Sequence, residues 1–100
     1  MVDGPAPVIE RVDGRLHVRG PVTLRYVQTL LDQSRQTFTG TELRIDLSGV
    51  SEADSSAVAL MLEWAREAAA RGASIGFENL TENLKTLIGL YDVGEFLPGV

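Results

Sequence analysis

The sequence predicts an α/β domain, a mixed sheet of about four strands opened by a β-hairpin, with about three helices packed on one face. Three observations predict it: Asp13-Gly14 between two short alternating runs, apolar positions at helical spacing between later alternating runs, and a 100-residue length that suits one domain.

Residues 1–7, with two prolines and a glycine, read as a loose tail ahead of a domain over 8–100. Val8–Val12 and Arg15–Arg19 flank Asp13-Gly14, the preferred pair for a type I′ turn. Pairing across that turn sets Val12 against Arg15, Glu10 against His17 and Ile9 against Val18. One face then carries Ile9, Leu16 and Val18; the other, wetter face carries Glu10, Arg15, His17 and Arg19 with Val8 and Val12. His17, the only histidine, lies beside a carboxylate with no second histidine or cysteine near it, which makes it a structural or solvated residue.

Gly20-Pro21-Val22 breaks the alternation. Thr23 is placed to cap a helix in which Leu24, Val27, Leu30 and Leu31 recur at helical spacing, with Tyr26 at its margin. Phe38 and the Thr39-Gly40-Thr41 turn lead to the next strand, and a crossover of this length favours a parallel pair.

In that strand Leu43, Ile45 and Leu47 alternate with Arg44, Asp46 and Ser48, an apolar face toward helices and a polar face toward water, with a stop at Ser48-Gly49. After a short acidic loop containing Glu52, Asp54 is an N-cap candidate for a helix running to Gly72. Val58, Met61, Leu62, Ala65, Ala68 and Ala69 form its apolar stripe, and Glu67 and Arg71 have i,i+4 spacing. Trp64 at the stripe's edge has two readings, a partner anchor or a core filler.

Ser74–Glu78 is a further strand with Ile75 and Phe77 on one face. Thr81 is placed to cap a last helix bearing Leu84, Leu87, Ile88 and Tyr91, ending near Gly94. Phe96, Leu97, Pro98 and Val100 close the chain and either fold back or meet a partner.

Composition narrows the function classes. The formal charge is −5 and the nine Lys and Arg residues are scattered, which disfavours nucleic-acid binding. The absence of cysteine removes disulfides, thiolate metal sites and cysteine nucleophiles. No apolar run approaches membrane-helix length, so membrane association would run through a partner, without direct insertion. There is no P-loop pattern, and the acid pairs Glu52 with Asp54 and Glu82 with Asp92 have nothing to place them in a pocket. No enzyme activity, cofactor or metal is expected.

The chemistry of interest sits at Asp54-Ser55-Ser56. Both serines fall in the first helical turn, where unpaired N–H groups and the helix dipole favour negative charge, so a phosphate is tolerated there. Local chemistry alone also accommodates a plain helix cap.

The triplet, following Leu43-Arg44-Ile45-Asp46-Leu47-Ser48, resembles the phosphorylation-site region of STAS domains, the family of bacterial anti-sigma factor antagonists. By that resemblance Ser55, directly after the Asp, matches the phosphorylatable position. Ala57 stands where many antagonists have Gly, and Gly20-Pro21-Val22-Thr23 stands where they often have an acidic Gly-Glu-Leu-Asp partner loop.

A second stretch, Asn79 to Tyr91 leading into Phe96-Leu97-Pro98, is similar to the tail of MlaB-type STAS proteins, small cytoplasmic subunits of phospholipid-transporting ABC complexes in Gram-negative bacteria. The resemblance implies a non-catalytic subunit that binds the transporter's ATPase at the inner-membrane face. The alternative it implies is an antagonist switched at Ser55 by a serine kinase that is also its anti-sigma partner. In either case the resemblance puts the partner contact at Ser55, and the expected partner-binding residues around it are Glu52, Asp54, Ser55 and Ser56, with Trp64 on its anchor reading.

Overall fold

A computed structural model describes residues 5–100. Of the expected tail, residues 1–4 lie outside the described residues. Pro7, read from the sequence as part of it, is buried, and its carbonyl accepts from the Gln33 side chain at 3.3 Å.

The elements run β1 (Val8–Val12), β2 (Arg15–Val22), α1 (Val27–Thr37), β3 (Glu42–Ala53), α2 (Ser55–Ala70), β4 (Ser74–Glu78) and α3 (Glu82–Tyr91), then a 3-10 turn over Gly94–Phe96. The sheet order is β1-β2-β3-β4, with β1 antiparallel to β2 and the other two pairs parallel. This is the α/β architecture expected.

The hairpin forms in the expected register, Val12 opposite Arg15 and Glu10 opposite His17. Asp13 at φ 51° and Gly14 at φ 79° supply the two left-handed residues that its turn requires. The inner face of the sheet buries Ile9, Leu16, Val18, Leu43, Ile45 and Phe77 against the helices. Removing these side chains from water is the main driving force for the fold.

Both central strands outrun their expected ends. β2 continues through Gly20-Pro21 to Val22, and β3 passes Ser48-Gly49 to Ala53 beside it. The expected break in β3 is a bulge: His17 pairs with Asp46 but Arg19 with Gly49, so three steps on β3 match two on β2. Ser48 and Gly49 both turn outward, which returns Val50 to the core beside Leu47. Glycine is needed at 49, because a Cβ there would lie 2.9 Å from the Arg19 side chain.

The outer face is not wet throughout. Asp46 is 6% exposed, accepting from the Ser48 N–H and hydroxyl at 2.8 and 2.6 Å and from Asn79 at 2.9 Å. Its burial would raise its carboxyl, but these donors outweigh that and hold it below its ordinary value. His17 is half-buried, 4.0 Å from Asp46. Glu78 is likewise held low by bonds from Arg15 and Arg44.

The helix starting at Thr23 is corrected. Residues 23–26 form a turn closed by Tyr26 N–H to the Thr23 carbonyl at 2.9 Å, and α1 begins at Val27 without a side-chain cap. Leu24 is 73% exposed and outside the helix's apolar stripe. Buried Ser34 completes that stripe by turning its hydroxyl back to the Leu31 carbonyl.

In α2 the buried side is Ala57, Val58, Leu60, Met61, Trp64 and Ala68, rotated from the expected stripe; Ala69 is exposed. The Glu67–Arg71 pair does not form. Glu67 meets Arg35 at 2.9 Å, while Arg71 donates to the Phe38 and Gly40 carbonyls.

α3 is capped as expected, Leu84 N–H donating to the Thr81 hydroxyl oxygen at 3.2 Å, but it ends at Tyr91 because Asp92 takes a left-handed conformation. The terminal segment divides. Leu97 is buried and Pro98 accepts from Phe77 N–H along the free edge of β4, while Phe96 and Val100 stay exposed.

Candidate functional site

The head of α2 is built by one carboxylate. Asp54 is extended (φ −128°, ψ −169°), and its Oδ1 accepts from the Ser56 N–H at 2.8 Å, the expected cap. Its Oδ2 accepts from the Leu24 N–H at 3.0 Å, a bond across 30 residues of chain. Burial works to raise the Asp54 carboxyl, but the bonds from Leu24 and Ser56 prevail and hold it below its ordinary value. The carboxylate therefore stays charged near neutrality and ties the turn after β2 to the start of α2.

Asn83 adds a third tie, its side-chain N–H donating to the Ala53 carbonyl at 3.1 Å. Two segments distant in the chain, the turn at Leu24 and α3 at Asn83, thus converge on the Ala53-Asp54-Ser55 junction. No local pattern announces the Leu24 and Asn83 contacts, because both join residues about thirty positions apart.

Ser55 occupies the first helical position and is exposed; Ser56 is half-buried beside the Asp54 cap. Glu52 is exposed, but it belongs to the end of β3, paired with Pro21, and not to a loop. Asp54, Ser55 and Ser56 are consecutive at the head of α2, whereas Glu52 lines a separate crevice with Arg19, Gly20 and Pro21.

Trp64 is not part of that surface. It is 2% exposed and packs against Phe38 at 5.0 Å between ring centroids, so of the two readings the structure selects core filler. Its indole N–H is buried without a hydrogen-bond partner among the described residues.

What borders Ser55 instead is apolar. A crevice of about 470 Å³ runs from Ser55 along Val58, Ala59 and Leu62 of α2 to Tyr91 and Val93 beyond α3. Tyr91 is half exposed there, although its spacing had placed it in the buried stripe of α3.

The arrangement offers hydrogen bonding, apolar contact and room for an anion at a helix N-terminus. Among the described residues no group of His, Asp and Glu is placed to hold a metal ion. Glu82 and Asp92 stand at opposite ends of α3, about 15 Å apart at helical rise, too far to act as a pair. His17 lies on the outer sheet face, away from Ser55. Among the described residues no helix is long and apolar enough to cross a membrane.

Comparison with solved structures finds the same fold in the anti-sigma factor antagonist SpoIIAA. Its unphosphorylated form is 22% identical, with a TM-score of 0.69 over 92% of this chain and 85% of that one. The phosphorylated form of the Bacillus cell fate determinant SpoIIAA is 19% identical, with a TM-score of 0.63 over 92% and 88%. A structure of Mglu is 24% identical with a TM-score of 0.57; the likeness covers 80% of this chain but 22% of that longer one. The comparison with curated proteins found no match. The family model described as "Mlab, STAS domain" matches residues 6–98, nearly the whole chain, and the chain therefore belongs to the MlaB-type STAS domain family.

Proposed function

We propose that this STAS domain is a non-catalytic interaction subunit that binds the cytoplasmic ATPase of a phospholipid-transporting ABC complex and supports its assembly or activity. The observation that carries this reading is the match of residues 6–98 to the MlaB-type family model. It would work in the cytoplasm, held at the inner-membrane face by its partner and needing no cofactor.

The docking surface is the head of α2. Exposed Ser55 offers a neutral hydroxyl, Glu52 and Asp54 set an acidic border, Ser56 supports the cap, and the crevice toward Tyr91 receives an apolar side chain. Trp64, buried, contributes only by holding α2 in place.

A second reading is favoured by the exposure of Ser55 at a helix N-terminus: an anti-sigma factor antagonist whose Ser55 is phosphorylated by a partner kinase. A phosphate there adds about two negative charges beside Glu52 and Asp54 and would repel an acidic partner.

Affinity capture from extract of the source cells, solubilised membranes included, separates the two, with Ser55→Glu as control and mass spectrometry as readout. Recovery of an ABC ATPase with its permease, lost in the variant, supports the transporter reading. Recovery of a soluble serine kinase or anti-sigma factor, with phosphate on Ser55, replaces it with the switch.

A further inference from the structure

The first strand of the sheet has a free edge, and a single side chain closes part of it. Among the described residues β1 pairs only with β2, so its outward backbone groups face away from the sheet. Gln33, from the middle of α1, places its amide against that edge: its Oε1 accepts from the Ile9 N–H at 3.0 Å and its Nε2 donates to the Pro7 carbonyl at 3.3 Å. An amide that accepts from one backbone N–H and donates to a neighbouring C=O reproduces what a peptide unit of an adjacent strand would offer.

Because the Ile9 N–H points outward to Gln33, the two-residue alternation of an antiparallel strand sends the Arg11 N–H and C=O outward too. Exposed edges of this kind pair readily with another chain unless something blunts them.

We propose that Gln33 is an edge guard, and that the strip it closes is a latent dimerisation edge whose occupant is the β1 strand of a second copy of this chain. The choice of occupant rests on self-complementarity. A two-fold axis beside Glu10 pairs Ile9 of one copy with Arg11 of the other, satisfying the outward groups of both. It also brings Val8 opposite the second copy's Val12, joining apolar side chains that are each 38% exposed in the single chain. Glu10 would face its own copy, and Arg19 of the same chain, 3.7 Å away, offsets that repulsion.

The test uses the full chain with Gln33→Ala, which removes both contacts from a helix position that alanine favours, and Gln33→Glu, whose carboxylate still accepts from the Ile9 N–H and loses only the bond to Pro7. Light scattering across about 10 µM to 1 mM should find the wild type and Gln33→Glu monomeric and Gln33→Ala increasingly dimeric, since the glutamate keeps the Ile9 N–H occupied and adds a charge to the edge. Adding Arg11→Pro to Gln33→Ala, which deletes the next outward N–H on an edge strand that tolerates proline, should restore the monomer. As the chain has no cysteine, Val8→Cys with Val12→Cys in the Gln33→Ala background should give an intermolecular disulfide on mild oxidation, and in the wild-type background should not. A Gln33→Ala variant that remains monomeric throughout, a Gln33→Glu variant as dimeric as Gln33→Ala, or a dimer that neither responds to Arg11→Pro nor cross-links through positions 8 and 12, would overturn the proposal.

Discussion

Replacing Asp54 by alanine tests the geometry at the head of α2 most directly. The substitution removes the α2 cap and the acceptor for the Leu24 N–H together. Loss of an N-cap costs about 1 kcal/mol. Loss of the second bond, whose N–H lies near the surface and can turn to water, costs about 0.5–1.5 kcal/mol. The expected total is about 2 kcal/mol, and for a domain of this length that lowers the melting temperature by about 8–16 °C. Urea unfolding followed by the fluorescence of Trp64, the only tryptophan, reads the change without interference. Asp54→Asn keeps one acceptor, for the Ser56 N–H, and presents a donor to the Leu24 N–H, so it should lose the second bond alone and less than alanine does. The gap between wild type and Asp54→Asn should also depend on pH. Because the folded-state pKa of Asp54 is lowered, its ionisation stabilises the fold above the unfolded-state value of about 3.9, and that contribution is lost as pH falls through the lower folded value. An alanine variant as stable as wild type, or an asparagine variant as weak as alanine, would refute the reasoning.

Three other outcomes follow from the packing. Ser55→Glu should keep its helical circular dichroism and a melting temperature near wild type, since an anion suits a helix N-terminus, while losing its partner; Ser56→Ala should weaken binding less, and equal loss would shift the contact to Ser56. Trp64→Ala should cost about 3–5 kcal/mol through the cavity it leaves, whereas Trp64→Phe should cost far less, because it also removes a buried N–H that has no partner; equal losses in urea unfolding would contradict this. Gly99→Ala should detach the terminal segment, since a Cβ there would lie 2.7 Å from the Phe77 carbonyl oxygen at a φ of 89°; loss of Leu97 burial bounds the cost at about 1.5–3 kcal/mol, and protection of the Phe77 amide against hydrogen exchange is the measurement that checks it.

The sequence by itself determined what depends on near neighbours. Asp13-Gly14 specified the hairpin and its register, because only such residues take the turn's two left-handed conformations cheaply. Asp54 and Thr81 announced the starts of α2 and α3, since a cap bonds two or three residues onward. The alternation of Leu43, Ile45 and Leu47 marked the central strand, and Asp54-Ser55-Ser56 marked the candidate site. The tertiary structure decided whatever rests on contacts far apart in the chain. Gly20-Pro21 and Ser48-Gly49 look like strand ends locally, yet β2 and β3 carry each other through them, the bulge at Gly49 fitting against Arg19. Thr23 looks like a cap, but the Leu24 N–H is taken by Asp54 and the helix starts later. Trp64 stood at the margin of its helix by spacing, and its burial rests on side chains from other segments, Phe38 among them. The same holds for the candidate site: the place of Ser55 at the start of α2 was legible from its neighbours, whereas the crevice beside it exists only because α2 and the end of α3 lie side by side, which no local spacing encodes.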